Sequence, residues 1–254
     1  MSQAYGKQFS RIYNIRWGNF ARSIAPQILE YYENTVGKTN KSMLDLCCGA
    51  GHLSTIFLEH GYSVIGIDLS AEILVYARQN AGDYLTQGKA QFIQADAANF
   101  TLKNPVPLVV STYDALNHLP DLVELQNCFH SVFSATTPRS LFIFDLNTRL
   151  GLKKRWNSIN IEDDEALTLI NRSIFDEQNN RAWTRITGFV YNQNGCYDRF
   201  EETVYNTAFK LAVVQNLLVT AGWEKVSIVS QNDLYTPLDD PESEMRVFFI
   251  ARKS

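Results

Sequence analysis

From residue 42 to about residue 150 the chain alternates between two hydrophobic periods. Short apolar runs, "SMLDLC", "YSVIGIDLS", "KAQFIQAD", "VPLVVST" and "SLFIFDLNT", read as strands, each bounded by glycine or polar turn residues. Between them lie "HLSTIFLEH", "AEILVYARQN" and "LVELQNCFHSVF", whose apolar positions recur at helical spacing. Gly61 stops the first helix, Ser70 is placed to cap the second, and Asp121 with Glu124 makes a capping box for the third. Strands alternating with helices of this length predict parallel βαβ units, and so a doubly wound α/β domain.

The two flanks break this rhythm. Upstream, Phe9, Tyr13, Trp17 and Phe20 step by four, four and three along one helical face, among further aromatics at Tyr5, Tyr31 and Tyr32. Residues 1–40 are therefore expected to form either a packed N-terminal helical segment or a lid whose aromatic side covers a site. Downstream, "TLINRSIFD", "RAWTRITGFVY" and "CYDRFEETVYN" read as three successive strands, separated by Asn179-Asn180 and by the Asn-Gly turn in "NQNGC". They predict an antiparallel insertion at about 151–206, over the substrate side. A helix in "TAFKLAVVQNLLVTAG", closed by Gly222, and the final strands "WEKVSIVS" and "MRVFFIAR" return the chain to the first domain, which thus comprises 1–150 and 207–254.

Composition narrows the function. A chain of 254 residues suits one large α/β domain carrying an insertion. Its 23 basic and 27 acidic side chains leave a net charge of −4, without the basic excess that a nucleic-acid partner requires. The basic cluster Lys153-Lys154-Arg155 reads as a solvated loop. No apolar run approaches the ~18 residues of a membrane span. "MSQAYGKQFS" has no apolar leader core, so a cytoplasmic protein with reduced thiols is expected. Cys47 and Cys48 are adjacent, which matches neither zinc-ligand nor redox spacing. They are expected to pack as small buried residues, and no metal site is predicted.

The chemistry gathers at three strand ends. In "LDLCCGAG" a strand runs into a glycine turn and then a helix, where the backbone can approach an anionic ligand group. Asp68 ends the second run, 17 residues beyond Gly51, where a carboxylate can accept from both hydroxyls of a ribose. Asp96 ends the third, where it can accept from an exocyclic amine such as that of adenine. All three fall on the carboxyl edge of the sheet, where open α/β sheets bind ligands. "GAGHLS" comes close to the dinucleotide fingerprint G-x-G-x-x-G/A, so a nicotinamide-dependent oxidoreductase competes. So does a non-catalytic cofactor-binding protein, because no residue is an unmistakable catalyst. Against the dinucleotide stands Asp45, an acid beside the turn that suits a ligand amino group and not a pyrophosphate.

"LDLCCGAG" resembles motif I of the class I S-adenosylmethionine-dependent methyltransferases, "GIDLS" their ribose motif, "QADAANF" their adenine motif and "VVSTYDALNHL" the segment after strand four in small-molecule members. The resemblance runs over nearly the whole chain. It implies a Rossmann-like seven-stranded sheet with a reversed last strand, and an antiparallel β insertion similar to that of small-molecule N-methyltransferases, including those acting on amino sugars. It also implies S-adenosylmethionine as cofactor and a small-molecule methyl acceptor with an N or O nucleophile. Nucleic acid and membrane are not implied as partners, and a homodimer is compatible.

Carried over by position, Gly49 and Gly51 line the methionine part of the cofactor, and Asp45 holds its amino group. Asp68 takes the ribose with Leu69 against the adenine, Asp96 and Ala97 meet the adenine edge, and Ser111 and Thr112 sit beside the methionine moiety. Tyr13 matches a tyrosine that reaches the cofactor carboxylate. His118, Tyr13 and then Asp114 are the candidates for a catalytic base. Two positions depart from the pattern: Cys47 stands where a glycine is usual, and "VPLVV" lacks the acid that commonly opens strand four.

Overall fold

The computed structural model describes residues 5–254. The chain opens with α1 (Lys7–Arg16) and α2 (Asn19–Thr35), then alternates β1 (Ser42–Leu46), α3 (His52–Glu59), β2 (Ser63–Asp68), α4 (Ala71–Ala81), β3 (Ala90–Gln94), β4 (Val106–Ser111), α5 (Leu122–Ser134) and β5 (Thr136–Asn147). The caps fall where the sequence puts them. The Ser70 hydroxyl accepts from the Ile73 amide, and the Asp121 carboxylate accepts from the amides of Val123 and Glu124. Next come α6 (Arg149–Arg155) and the antiparallel strands β6 (Ser158–Asp163), β7 (Leu167–Asp176), β8 (Arg181–Tyr191) and β9 (Tyr197–Thr207). The chain closes with α7 (Leu211–Thr220), β10 (Lys225–Ser230), β11 (Asp233–Pro237) and β12 (Arg246–Arg252).

The main sheet has the order β11-β10-β12-β5-β4-β1-β2-β3. β1 pairs in parallel with both β2 and β4, so the strand order reverses between β1 and β4. β12 pairs antiparallel with both β5 and β10, which makes it the reversed strand. Alternate residues feed two hydrophobic layers, as strands buried on both faces require. Met43, Val64 and Leu108 pack with α2, α3 and α4, whereas Leu44, Val109 and Phe142 pack with α5 and α7.

Four details differ from the sequence expectation. The basic cluster Lys153-Lys154-Arg155 is the exposed last turn of α6 and not a loop. The sheet has eight strands, because β11 adds a short exposed edge next to β10. The smaller sheet has four, because β6 is almost wholly exposed and carries no buried alternation to read. The aromatic N-terminal face is split at Gly18 between α1 and α2. Only α1 lies over the small sheet, through Phe9, Ile12, Leu169 and Ile186. α2 belongs to the core, because it buries Ile24, Ala25, Ile28 and Tyr32 against the main sheet. α1 therefore packs on the small sheet and α2 in the main core.

Candidate active site

The turn after β1 brings three left-handed residues together: Cys47 (φ 58°), Gly49 (φ 53°) and Gly51 (φ 74°). Cys47 thus takes a conformation that costs a side-chain-bearing residue about 1–2 kcal/mol. The turn is held by main-chain bonds, from the Cys48 amide to the Ile67 carbonyl (2.9 Å) and from the Gly51 amide to the Cys48 carbonyl (2.9 Å). The Cys48 sulfur lies over the backbone of Gly66, where a Cβ would come within 2.9 Å of it. Burial pushes both thiols well above their usual pKa, so neither is a ready thiolate.

Asp68 locks the turn to β2. Its Oδ2 accepts from the Gly49 amide (2.9 Å) and its Oδ1 from the Ser70 amide (2.9 Å). Burial raises its pKa, and these amide bonds oppose the rise. A carboxylate has about four lone-pair directions, so beside its backbone bonds Asp68 keeps acceptor capacity for a ligand. Gly49 forms a cradle that a side chain would fill: a Cβ there would lie 3.3 Å from the Tyr13 ring. Glycine cradle, carboxylate and adjoining space together fit a nucleoside ligand bearing an amino-acid end.

That space is a cavity of about 440 Å3. Of the residues singled out in the sequence, Tyr13, Gly49, Asp68, Leu69, Thr112 and His118 line it, as does Asp114. Asp45 lines a smaller cavity of about 30 Å3 alongside. There its Oδ2 accepts from the amide (3.1 Å) and hydroxyl (2.6 Å) of Ser54, and burial pushes its pKa up to about 7. Gly51, Asp96, Ala97 and Ser111 line neither cavity. Gly51 starts α3 and backs onto Ala77, Asp96 accepts from the Ala98 amide (2.9 Å), and Ala97 and Ser111 are buried.

Of the three candidate bases, Asp114 is ion-paired with Arg246, and the other two differ in kind. Burial holds the His118 imidazole below its usual pKa, and its Nδ1 is buried without a hydrogen-bond partner. It is therefore neutral at pH 7 and able to take a proton. Burial raises the Tyr13 phenol well above its usual pKa, so Tyr13 keeps its proton and serves as a donor.

Two features were not singled out in the sequence. Buried Asp145 on β5 accepts from the amides of Tyr113 (2.6 Å) and Asp114 (3.0 Å), both left-handed, and pairs with Arg246 of β12. Arg246 also pairs with Asp114 (2.6 Å) and stacks on Phe20 (4.8 Å). The acid in "IFDLN" was visible, but its partner lies 101 residues away. The second feature is the cavity face of the small sheet, which carries Asn160, Asn171, Ser173, Thr184 and Asn206. They share the inward face with Leu167, Leu169, Ile186 and Val204, so this face carries an apolar cluster and, beside it, a polar patch on the cavity.

The reversed β12, the strand order and the glycine turn at the switch point define the class I S-adenosylmethionine-dependent methyltransferase fold. Solved structures agree. An S-adenosylmethionine-dependent methyltransferase from Clostridium acetobutylicum matches with a TM-score of 0.81 over 97% of this chain and 98% of that one, at 22% identity. The sugar N-methyltransferase KedS8 from Streptoalloteichus sp. matches at 0.77 over 100% and 95%, at 18% identity. Residues 43–139 match the model of the methyltransferase domain. Among curated proteins, the putative methyltransferase YqeM of Bacillus subtilis is 28% identical over 214 residues, 84% of each chain. The nicotinamide alternative suggested by "GAGHLS" is thereby set aside.

Proposed function

We propose that this protein transfers a methyl group from S-adenosylmethionine to a small-molecule acceptor. The observation that carries this is Asp68. Its carboxylate stands on the wall of the 440 Å3 cavity beside the Gly49 cradle, with acceptor capacity left beyond its backbone bonds. Asp68 receives the ribose hydroxyls and Leu69 flanks the adenine, whose edge is assigned to Asp96 and Ala97. Gly49 and Gly51 make the turn, Asp45 takes the amino group, Tyr13 donates to the carboxylate, and Ser111 and Thr112 border the methionine end.

When bound, S-adenosylmethionine supplies a methyl group already activated on a sulfonium. What remains for the protein is alignment and a proton. Positioning of this kind can contribute several kcal/mol, within the ~7–11 kcal/mol of intramolecularity. His118, neutral and with Nδ1 unpartnered on the cavity wall, accepts the proton that the nucleophile loses. The amide and hydroxyl face of the small sheet favours a hydroxylated acceptor over an apolar one, since buried polar groups left unpaired disfavour an apolar occupant. An amine on such a molecule is the nucleophile this reading favours, in keeping with the resemblance to a sugar N-methyltransferase.

Calorimetry tests the cofactor assignment. S-adenosylhomocysteine should bind the wild type, and Asp68→Ala should weaken binding at least about tenfold, as loss of hydrogen bonds to a charged group predicts. A wild type with no detectable affinity would overturn the proposal.

A further inference from the structure

The smaller cavity, about 30 Å3, adjoins the large one: Tyr13, Trp17, Cys47, Thr112 and Tyr113 wall both. Its size suits one or two water-sized groups. Asp45 and His52 line the small cavity alone. Asp45 is 2% exposed. The Nε2 atom of His52, the first residue of α3, is buried and has no hydrogen-bond partner. Gly18, the joint between α1 and α2, lies flat against this imidazole, and a Cβ there would come within 3.2 Å of three ring atoms.

The charge on the walls of this cavity is acidic, while Arg22, outside the walls, lies near enough to act on the His52 ring. The walls carry no lysine or arginine, and their anionic group is the Asp45 carboxylate. Burial, together with the neighbouring Arg22, holds His52 toward its neutral form, in which one ring nitrogen is a bare acceptor. Two buried acceptors facing a space for one or two heavy atoms call for a ligand group with several N–H donors. A carboxylate is the wrong partner, because it would meet Asp45 with like charge.

We propose that His52 is a cofactor-binding residue whose imidazole, together with the Asp45 carboxylate, receives the primary ammonium of the methyl donor's amino-acid end. The assignment rests on the cofactor reading above. It makes the α1–α2 joint part of the cofactor site, because Gly18 is the surface that closes over the ring.

Four ligands separate the possibilities by calorimetry: S-adenosylhomocysteine, its decarboxylated analogue, its deaminated analogue, and 5′-methylthioadenosine, which lacks the amino-acid end. His52→Ala should weaken the two amine-bearing ligands about tenfold and the other two less than about twofold. His52→Gln, which keeps an acceptor, should recover part of the loss. Equal weakening of all four ligands would make His52 a packing residue and overturn the assignment, as would a loss confined to the two carboxylate-bearing ligands. A wild type that binds none of the four would remove the cofactor reading, and this assignment with it. Normal wild-type binding with an unselective loss in the variant would remove the assignment alone.

Discussion

Cys47 shows how a single residue can carry strain for a site. Its φ of 58° lies in the left-handed region that favours glycine, and the turn holds it there through the flanking main-chain bonds. Asp45 is a second case. Burial raises its pKa to about 7, against its ordinary 3.8. Between these values the unfolded chain is ionised while the folded one holds the proton, so stability falls as pH rises through this window. Asp45→Asn should therefore unfold at a higher temperature than the wild type at pH 8, the gap closing below about pH 4. It should also bind S-adenosylhomocysteine more weakly. In the wild type that affinity should rise as pH increases through about 7, because the amino group favours the ionised carboxylate, and the variant should show no such rise. Scanning calorimetry and titrations across pH 5–8 check both arms.

At the scale of the element, the decisive piece is the loop after β4, which carries Thr112 to His118 along the cavity wall. Two consecutive left-handed residues, Tyr113 and Asp114, persist there because Asp145 takes both amides and Arg246 neutralises the acids around them. Asn206 of β9 donates to Asp114 as well (2.8 Å), tying the small sheet to the same loop. Arg246→Met would leave Asp145 buried without its countercharge, and is expected to cost about 3–5 kcal/mol. Adding Asp145→Asn should recover part of that cost, as measured by urea unfolding of the single and double variants. An equal or larger loss in the double variant would mean that the bonds to the loop amides outweigh the charge balance. Most strands and helices were legible from period and caps, but exposed β6, edge strand β11 and short α6 were not. Nor was this clamp, because its members are far apart in sequence and none stands in a motif.

At the scale of the molecule, the cavity is closed by two parts that the main sheet does not supply. α1 packs through Phe9 and Ile12 on Leu167, Leu169, Ile186 and Val190 of the small sheet, so helix and small sheet share one hydrophobic cluster. They are expected to respond to ligand together. Adding S-adenosylhomocysteine should slow amide exchange in α1 and in β7–β9 in parallel, since local openings of a shared cluster are cooperative. Slowing in α1 with β7–β9 unchanged would show that the helix responds independently. No described helix is long and apolar enough to cross a membrane.

What the sequence alone determined is local in origin. The doubly wound core, the glycine turn, and the acids at the ends of β1 and β2 follow from periodicity, capping and the conformational freedom of glycine, all of which act within a few residues. Asp68 and His118 could therefore be named from their strand ends, Tyr13, Leu69 and Thr112 through the motif resemblance, and all five line one cavity. The tertiary structure alone decided the rest: that Gly18 divides the N-terminal aromatic face between small sheet and core, that Asp45 turns into a side cavity with His52, and that Asp145 and Arg246 hold the loop after β4. Each of these depends on which segments meet across the fold and on how deeply a charge is buried, and neither is encoded in the spacing along the chain.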